Sequence, residues 1–204
     1  MLRYKNMKKI DIIVALVIGE LIALLSFGIL KNLELESKLF YWVWPFFLPL
    51  FCLTCLFIAH LLSQKIKIFW QLAKFVLVGV LNTVIDLGIL GFLMWYFNIT
   101  GGLIYSVFKA ISFVTATTNS YFWNKFWTFE KKKGKETDKE VLQFFIVSSI
   151  GFAINVGTAS FVVNYINPQF GLTPAQWGIF GAICAAFAGL AWNFLGYKFI
   201  VFKK

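Results

Sequence analysis

Asp86, Lys109, Lys74, Lys125 and Lys198 all stand within or at the ends of long apolar stretches of a 204-residue chain. An ionised side chain in hydrocarbon costs a few kcal/mol, so each of these residues needs a partner or a use. Gly79, Asn82 and Asp86 are spaced by three and four, which puts them on one helical face. Ser148, Gly151 and Asn155 repeat that face 69 residues later. A stripe of small and polar residues turned to lipid is expensive, so both stripes are expected to face a bundle interior. For Asn82 and Asn155 the plain reading is an interhelical hydrogen bond. For Asp86 the expectation is a functional role and not packing alone.

Lys109 lies two turns from the outer end of its segment, within snorkelling reach of the interface. It is placed to pair with Asp86, as a structural ion pair or as a gate that substrate opens. Lys74, Lys125 and Lys198 lie near the inner ends of three segments, and each alone reads as ordinary snorkelling. Gathered together, Lys125 and Lys198 would make a cationic pocket at headgroup depth, since an ammonium is a suitable point charge for phosphate. Asn119, Asn124 and Asn193 nearby are expected to hydrogen-bond phosphate or sugar hydroxyls.

Other chemistries lack their residues. The chain has no G-x-S-x-G, no D-x-D, no P-loop and one histidine, His60. No enzyme, metal site, cofactor or ATP-driven pump is expected. Cys52 and Cys55 form a C-x-x-C, but inside an apolar run, away from the exposed setting that lowers a thiol pKa.

The elements that must position these residues follow from composition. The chain is 60% apolar, 20% aromatic and only 14% charged. That excludes both a soluble globular domain and a disordered chain. The net charge of +10 sits between apolar runs, where it reads as orientation in an anionic bilayer and not as nucleic-acid binding. Six stretches, about 10–31, 40–63, 72–97, 103–129, 141–166 and 176–202, are long enough to span as helices. The expected fold is therefore an all-α integral membrane protein with six transmembrane helices. The first stretch has a basic start like a signal peptide, yet it is too long and lacks a cleavage site, so it reads as a permanent helix.

Arg3, Lys5, Lys8 and Lys9, then Lys65 and Lys67, then the Lys131 to Lys139 run, then Lys203 and Lys204, all fall on one side. The positive-inside rule makes that side, and both termini, cytoplasmic in a multi-pass cell-membrane protein. Trp42, Trp44, Trp95 and Trp177 are expected at the outer interface, and Trp70, Trp123 and Trp127 at the inner one. Pro45 and Pro49 are expected to kink the second helix.

The last four helices contain a repeat. Phe75 to Gly79 aligns with Phe144 to Ser148, and Lys125 to Phe129 aligns with Lys198 to Phe202, at offsets of 69 and 73. Each unit is a two-span hairpin, so the repeats are parallel and not inverted. A groove shared by the two hairpins is the expected site. Gly181, Ala185, Ala188, Gly189 and Gly196 in the last helix read as packing positions.

With these residues assembled, the chain resembles the GtrA-like family of small four-helix membrane proteins over about residues 71–204. The carriers are Lys74-Phe75-Val76-Leu77-Val78-Gly79-Val80-Leu81-Asn82-Thr83 with Asp86, then Asn124-Lys125-Phe126-Trp127-Thr128-Phe129, and the closing Asn193 to Phe202 segment. The family often has Arg where Lys125 stands. The resemblance makes 71–204 a four-helix domain and leaves 1–70 as a two-helix extension read from pattern alone. It implies a role in cell-surface polysaccharide: moving a polyprenyl-phosphate-linked monosaccharide across the membrane, with membrane glycosyltransferases making and using it.

Three functions compete at this stage. The leading one is flipping that lipid-linked sugar, for polysaccharide or teichoic acid glycosylation. In it Lys125 and Lys198 receive phosphate on the inner side and Lys109 on the outer side. The second is a non-transporting subunit that anchors a glycosyltransferase through the polar face. The third is a small multidrug-type exporter, for which Glu20 stands near the expected acid but the loop charges are too biased. The expected partners are the sugar lipid, the glycosyltransferases and the bilayer, and a homo-oligomer is compatible with the sequence.

Overall fold

The computed structural model describes residues 7–32, 38–99, 102–131, 138–172 and 174–203. Every described element is helical. They are α1 (Lys9–Asn32), α2 (Lys38–Ser63), α3 (Ile68–Phe97), α4 (Gly102–Trp123), α5 (Asp138–Tyr165) and α6 (Pro174–Gly196). Two π-helical segments, Asn124–Thr128 and Tyr197–Val201, prolong α4 and α6. Each expected span thus corresponds to one helix, within a few residues at either end.

Among the described residues, five helices are long and apolar enough to cross a membrane. The one that falls short is α4. Its 22 residues suffice in length, but Ser112, Thr115, Thr117, Thr118, Asn119 and Ser120 dilute its apolar character. Elsewhere rows of outward apolar side chains, such as Val76, Val80 and Leu87 on α3, suit a lipid surround.

The chain folds as two compact units, Met1–Glu130 and Lys131–Lys204. The division therefore does not follow the sequence boundary near residue 70: α1 and α2 pack with the first hairpin. The reason is visible in the core, where Ala15 and Ile18 of α1 and Leu56 of α2 bury against Val78 and Leu81 of α3, and against Trp127. Gly19 lets α2 approach closely, since a Cβ there would lie 2.4 Å from the Cα of Pro49. Higher up, Trp44 Nε1 donates to Ser26 Oγ at 2.9 Å. At the far end of α3, Asn98 takes a left-handed conformation (φ 53°), and its N–H closes the helix on Met94 and Trp95 carbonyls.

In the second unit α5 and α6 meet through glycine. A Cβ on Gly189 would touch the Gly151 carbonyl at 3.3 Å, and one on Gly196 would sit 2.5 Å from Val147 Cγ1. Trp192 Nε1 donates to the Val147 carbonyl at 3.0 Å, crossing the same interface.

Two of the expected interfacial tryptophans are turned inward. Trp177 is buried and donates to the carbonyls of Val162 (3.1 Å) and Ile166 (2.9 Å). Trp127 is buried against α1. Sequence depth alone places an indole at an interface without saying which way it points. Trp42 and Trp95, 77% and 72% exposed, do face outward.

Candidate functional site

The polar stripe of α3 is met by α4. Asn119 Nδ2 donates to Asn82 Oδ1 at 2.7 Å, and Ser112 Oγ donates to Asp86 Oδ1 at 2.6 Å. An acid at this depth is held by a hydroxyl whose cost of burial it offsets in turn. Asn82 Nδ2 is buried without a hydrogen-bond partner. One turn below, a Cβ on Gly79 would meet nothing within 4 Å, so this part of the seam is open. Lys109 lies on α4, and its side chain falls outside the described residues, as does any pairing with Asp86.

Lys125 and Lys198 each occupy the second position of a π-helical segment, 73 residues apart. The wide turn is closed in both by an i to i−5 bond: Phe129 N–H to Asn124 O at 2.9 Å and Phe202 N–H to Tyr197 O at 2.8 Å. Single wide turns of this kind recur at functional sites, because they re-aim side chains that an α-helix would direct elsewhere. Lys125 is buried, and its Nζ donates to Tyr121 Oη at 2.8 Å over the Tyr121 ring. Lys198 sits likewise over Phe194 and Phe199, at 5.6 and 5.4 Å from the ring centres. It has Phe194 where Lys125 has Tyr121, and so no hydroxyl to donate to. Among the described residues its half-buried ammonium meets no carboxylate and no hydrogen-bond acceptor.

Asn124 and Thr128, a turn apart on the first π segment, are both buried. Asn124 Nδ2 donates to the Ser120 carbonyl (2.9 Å) and hydroxyl (3.1 Å), which leaves its Oδ1 without a partner. Thr128 Oγ1 is unpartnered as well. In the second hairpin Asn193 lies over Gly151, where a Cβ would come within 2.1 Å of its Oδ1, and that oxygen also lacks a partner. Asn155 packs beside Gly189. Ser148 donates to the Phe144 carbonyl at 2.8 Å and pairs with the Tyr197 hydroxyl at 2.7 Å. Each polar stripe is thus engaged by the other helix of its own hairpin.

Lys74 is placed differently. Its Nζ lies 2.7 Å from Asp11 Oδ1, with both side chains almost wholly buried, and 3.3 Å from Glu130 Oε1. The rings of Trp70 and Trp127 stand 4.7 and 5.3 Å from the ammonium. Trp127 Nε1 donates to Asp11 at 2.9 Å, and Lys8 closes the group on Glu130 at 2.9 Å. The cluster of Lys8, Asp11, Lys74 and Glu130 is neutral overall. Partial burial raises the affinity of Glu130 for a proton, but the Lys8 hydrogen bond and the Lys74 charge outweigh it and hold the carboxyl below its ordinary range. The same hydrogen bond, with the Glu130 charge, pushes the Lys8 ammonium above its ordinary value. Glu130 reaches both lysines from a positive φ of 47°.

Asp11, Ser112, Tyr121, Glu130 and Tyr197 are absent from the sequence-based set. Asp11 carries one usable signal, as an acid in the first turn of a helix otherwise apolar for two turns. The hydroxyl partners carry none, because serine and tyrosine are unremarkable in such helices.

The sequence profile of the GtrA/DPMS transmembrane domain matches residues 74–202. An uncharacterized membrane protein of Bacillus subtilis (strain 168), YngA, is 30% identical over 141 residues, which cover 69% of this chain and 83% of that protein. No solved structure matches.

Proposed function

Because the chain belongs to the GtrA/DPMS transmembrane-domain family, we propose that this multi-pass membrane protein moves a polyprenyl-phosphate-linked monosaccharide between leaflets. The product serves cell-surface polysaccharide or teichoic acid glycosylation, with glycosyltransferases on either side. Both termini lie in the cytoplasm, all six helices span, and the last four act as two parallel hairpins.

The observation that carries this reading is Lys198. An ammonium on a half-buried stem, with aromatic rings below it and no counter-ion among the described residues, is set to take an anion. Its counterpart Lys125 occupies the same place in the same wide turn. Phosphate is the anion of the proposed substrate, and Lys198 receives it. Asn124 Oδ1, Thr128 Oγ1 and Asn193 Oδ1, buried and unpartnered, are acceptors for sugar hydroxyls or for a bridging water. Asn82, Asn119 and Asp86 offer further hydrogen bonds along the seam once the headgroup enters, and Asn155 does so in the second hairpin. The prenyl tail stays in lipid. Lys74 is committed to Asp11, so its part is to hold α3 in place and not to bind phosphate. On the outer side Lys109 remains the receiving residue, on the sequence alone.

The test is translocation of a labelled polyprenyl-phosphate sugar in liposomes. The purified chain should speed its appearance in the outer leaflet, and Lys198→Gln should cut that rate at least about tenfold with the fold retained. No acceleration over protein-free vesicles by a folded protein overturns the reading.

One observation favours a second reading. The Asn82–Asn119 and Asp86–Ser112 bonds occupy the polar seam within its own hairpin, as in a structural subunit anchoring a glycosyltransferase. In that case Asp86→Asn or Lys125→Gln reduces recovery of the complex on pull-down. A transporter keeps the complex and loses flux.

A further inference from the structure

A short turn at Gln64–Lys67 joins α2 to α3, and the Gly19–Pro49 contact holds α2 close to α1. Small residues leave the gap between α2 and α3 unfilled: Cys55 and Ala59 on α2, and Ala73 on α3. The result is a groove of about 400 Å³ lined by α1, α2 and α3, to which no side-chain nitrogen or oxygen contributes. It follows α2 from Leu48 to Leu62 and α3 from Phe69 to Val80. At ~1.5 Å per residue those stretches are ~21 and ~16 Å long. One leaflet of hydrocarbon is ~15 Å deep, half of a ~30 Å core. A volume of about 400 Å³ spread over that length is too small for a helix about 10 Å across. A single alkyl chain matches it in length and chemistry.

The end of the groove decides which lipid. Leu62 and Phe69, its last wall residues, flank the turn that carries Lys65 and Lys67. Both lysines are exposed and meet no carboxylate among the described residues. His60 and Trp70, packed edge to face at 5.2 Å, stand beside them at the depth of a headgroup boundary. A chain lying in the groove therefore ends under two unneutralised cations. The α3 residues that line it (Phe69, Ala73, Val76, Val80) lie on a different face from Asn82 and Asp86, so this slot is separate from the polar seam.

We propose that the α2–α3 groove holds one acyl chain of an anionic phospholipid, with the phosphate seated on Lys65 and Lys67. One wall of this site comes from the two helices that precede the family domain and the other from α3. It serves a bilayer lipid bound in place, whatever the protein transports.

The experiment is native mass spectrometry of the full chain in detergent, after exposure to an equal mixture of phosphatidylglycerol and phosphatidylcholine. The wild type should retain one phosphatidylglycerol about tenfold in preference to phosphatidylcholine, as expected for two lysines near a phosphate. Lys65→Gln with Lys67→Gln should abolish the preference. Ala59→Phe, which fills the slot, should abolish retention altogether. Cys55→Phe, at an exposed wall position, should do the same if Ala59→Phe fails to fold. Equal retention of the two lipids by the wild type, or undiminished retention in a folded slot-filling variant, overturns the proposal. Because lipid retention is the readout, the result stands apart from any outcome of the translocation assay.

Discussion

The hairpins α3–α4 and α5–α6 align in sequence but are held by different forces. The first is stitched by polar pairs, Asn82–Asn119 and Asp86–Ser112, with open space at Gly79. The second closes by contact: Gly151, Gly189 and Gly196 let the helices touch, and Ser148 and Tyr197 form a bond at the position where the first has Gly79 and Asn124. The ends differ in the same way. Lys74 of the first hairpin has Gln143 as its counterpart, and the second hairpin instead pairs Lys131 with Glu140. In hydrocarbon, where burial of apolar surface does little to join helices, close packing and hydrogen bonding are the two available means. The two hairpins divide these means between them, with room beside α3 at Gly79 and little inside the α5–α6 pair.

The comparison can be broken most sharply at Asp11. Asp11→Asn leaves the buried Lys74 ammonium with only the half-exposed Glu130 as counter-charge, and should cost up to about 3–5 kcal/mol, read as a fall in melting temperature in detergent. The paired change Asp11→Leu with Lys74→Met should recover most of that loss. If it does not, the ion pair is more than a neutral plug. Next in size is the glycine contrast. Gly196→Ala drives a methyl into the rigid Val147 side chain and should destabilise by about 1–3 kcal/mol. Gly79→Ala enters open space and should be neutral or, through helix propensity, stabilising by up to ~1 kcal/mol. Equal effects at the two glycines would show that the hairpins pack alike.

Asp86→Asn keeps an acceptor for Ser112 and should change stability by under ~2 kcal/mol, so a larger loss in flux than in melting temperature separates transport from packing. The smallest effect is the pH dependence at Glu130. Its carboxyl is held below the ordinary range, so its contribution is present at neutral pH and fades as pH falls through that lowered value. Lys8, pushed the other way, loses its contribution only as pH rises through its elevated value. Melting temperatures from pH 7 to pH 3 should fall less steeply in Glu130→Gln than in the wild type.

The helices and their ends were legible because about twenty apolar residues in a row admit few alternatives. The stripe on α3 was legible too, since spacings of three and four fix a face. What the stripe touches was not: Ser112 partners Asp86 through a helix whose hydroxyls all look alike in sequence. The wide turns were hidden for a related reason. Nothing in Asn124-Lys125-Phe126-Trp127-Thr128 distinguishes five residues wound α from five wound π, although their recurrence after 73 residues marked the place. Lys74 shows the opposite failure. Its depth was readable and its use was not, because the deciding residue, Asp11, lies in a helix outside the family resemblance.

That acid also sets a schedule for biosynthesis. Asp11 leaves the ribosome 63 residues ahead of Lys74, the difference of their two positions. At ~5–20 residues per second, translation imposes a delay of roughly 3–13 s before the cation exists. Over that interval Asp11 lacks the buried partner it has in the folded chain. A truncation ending before residue 74 should therefore seat α1 less firmly than the full chain does, read as greater protease access to its first turn.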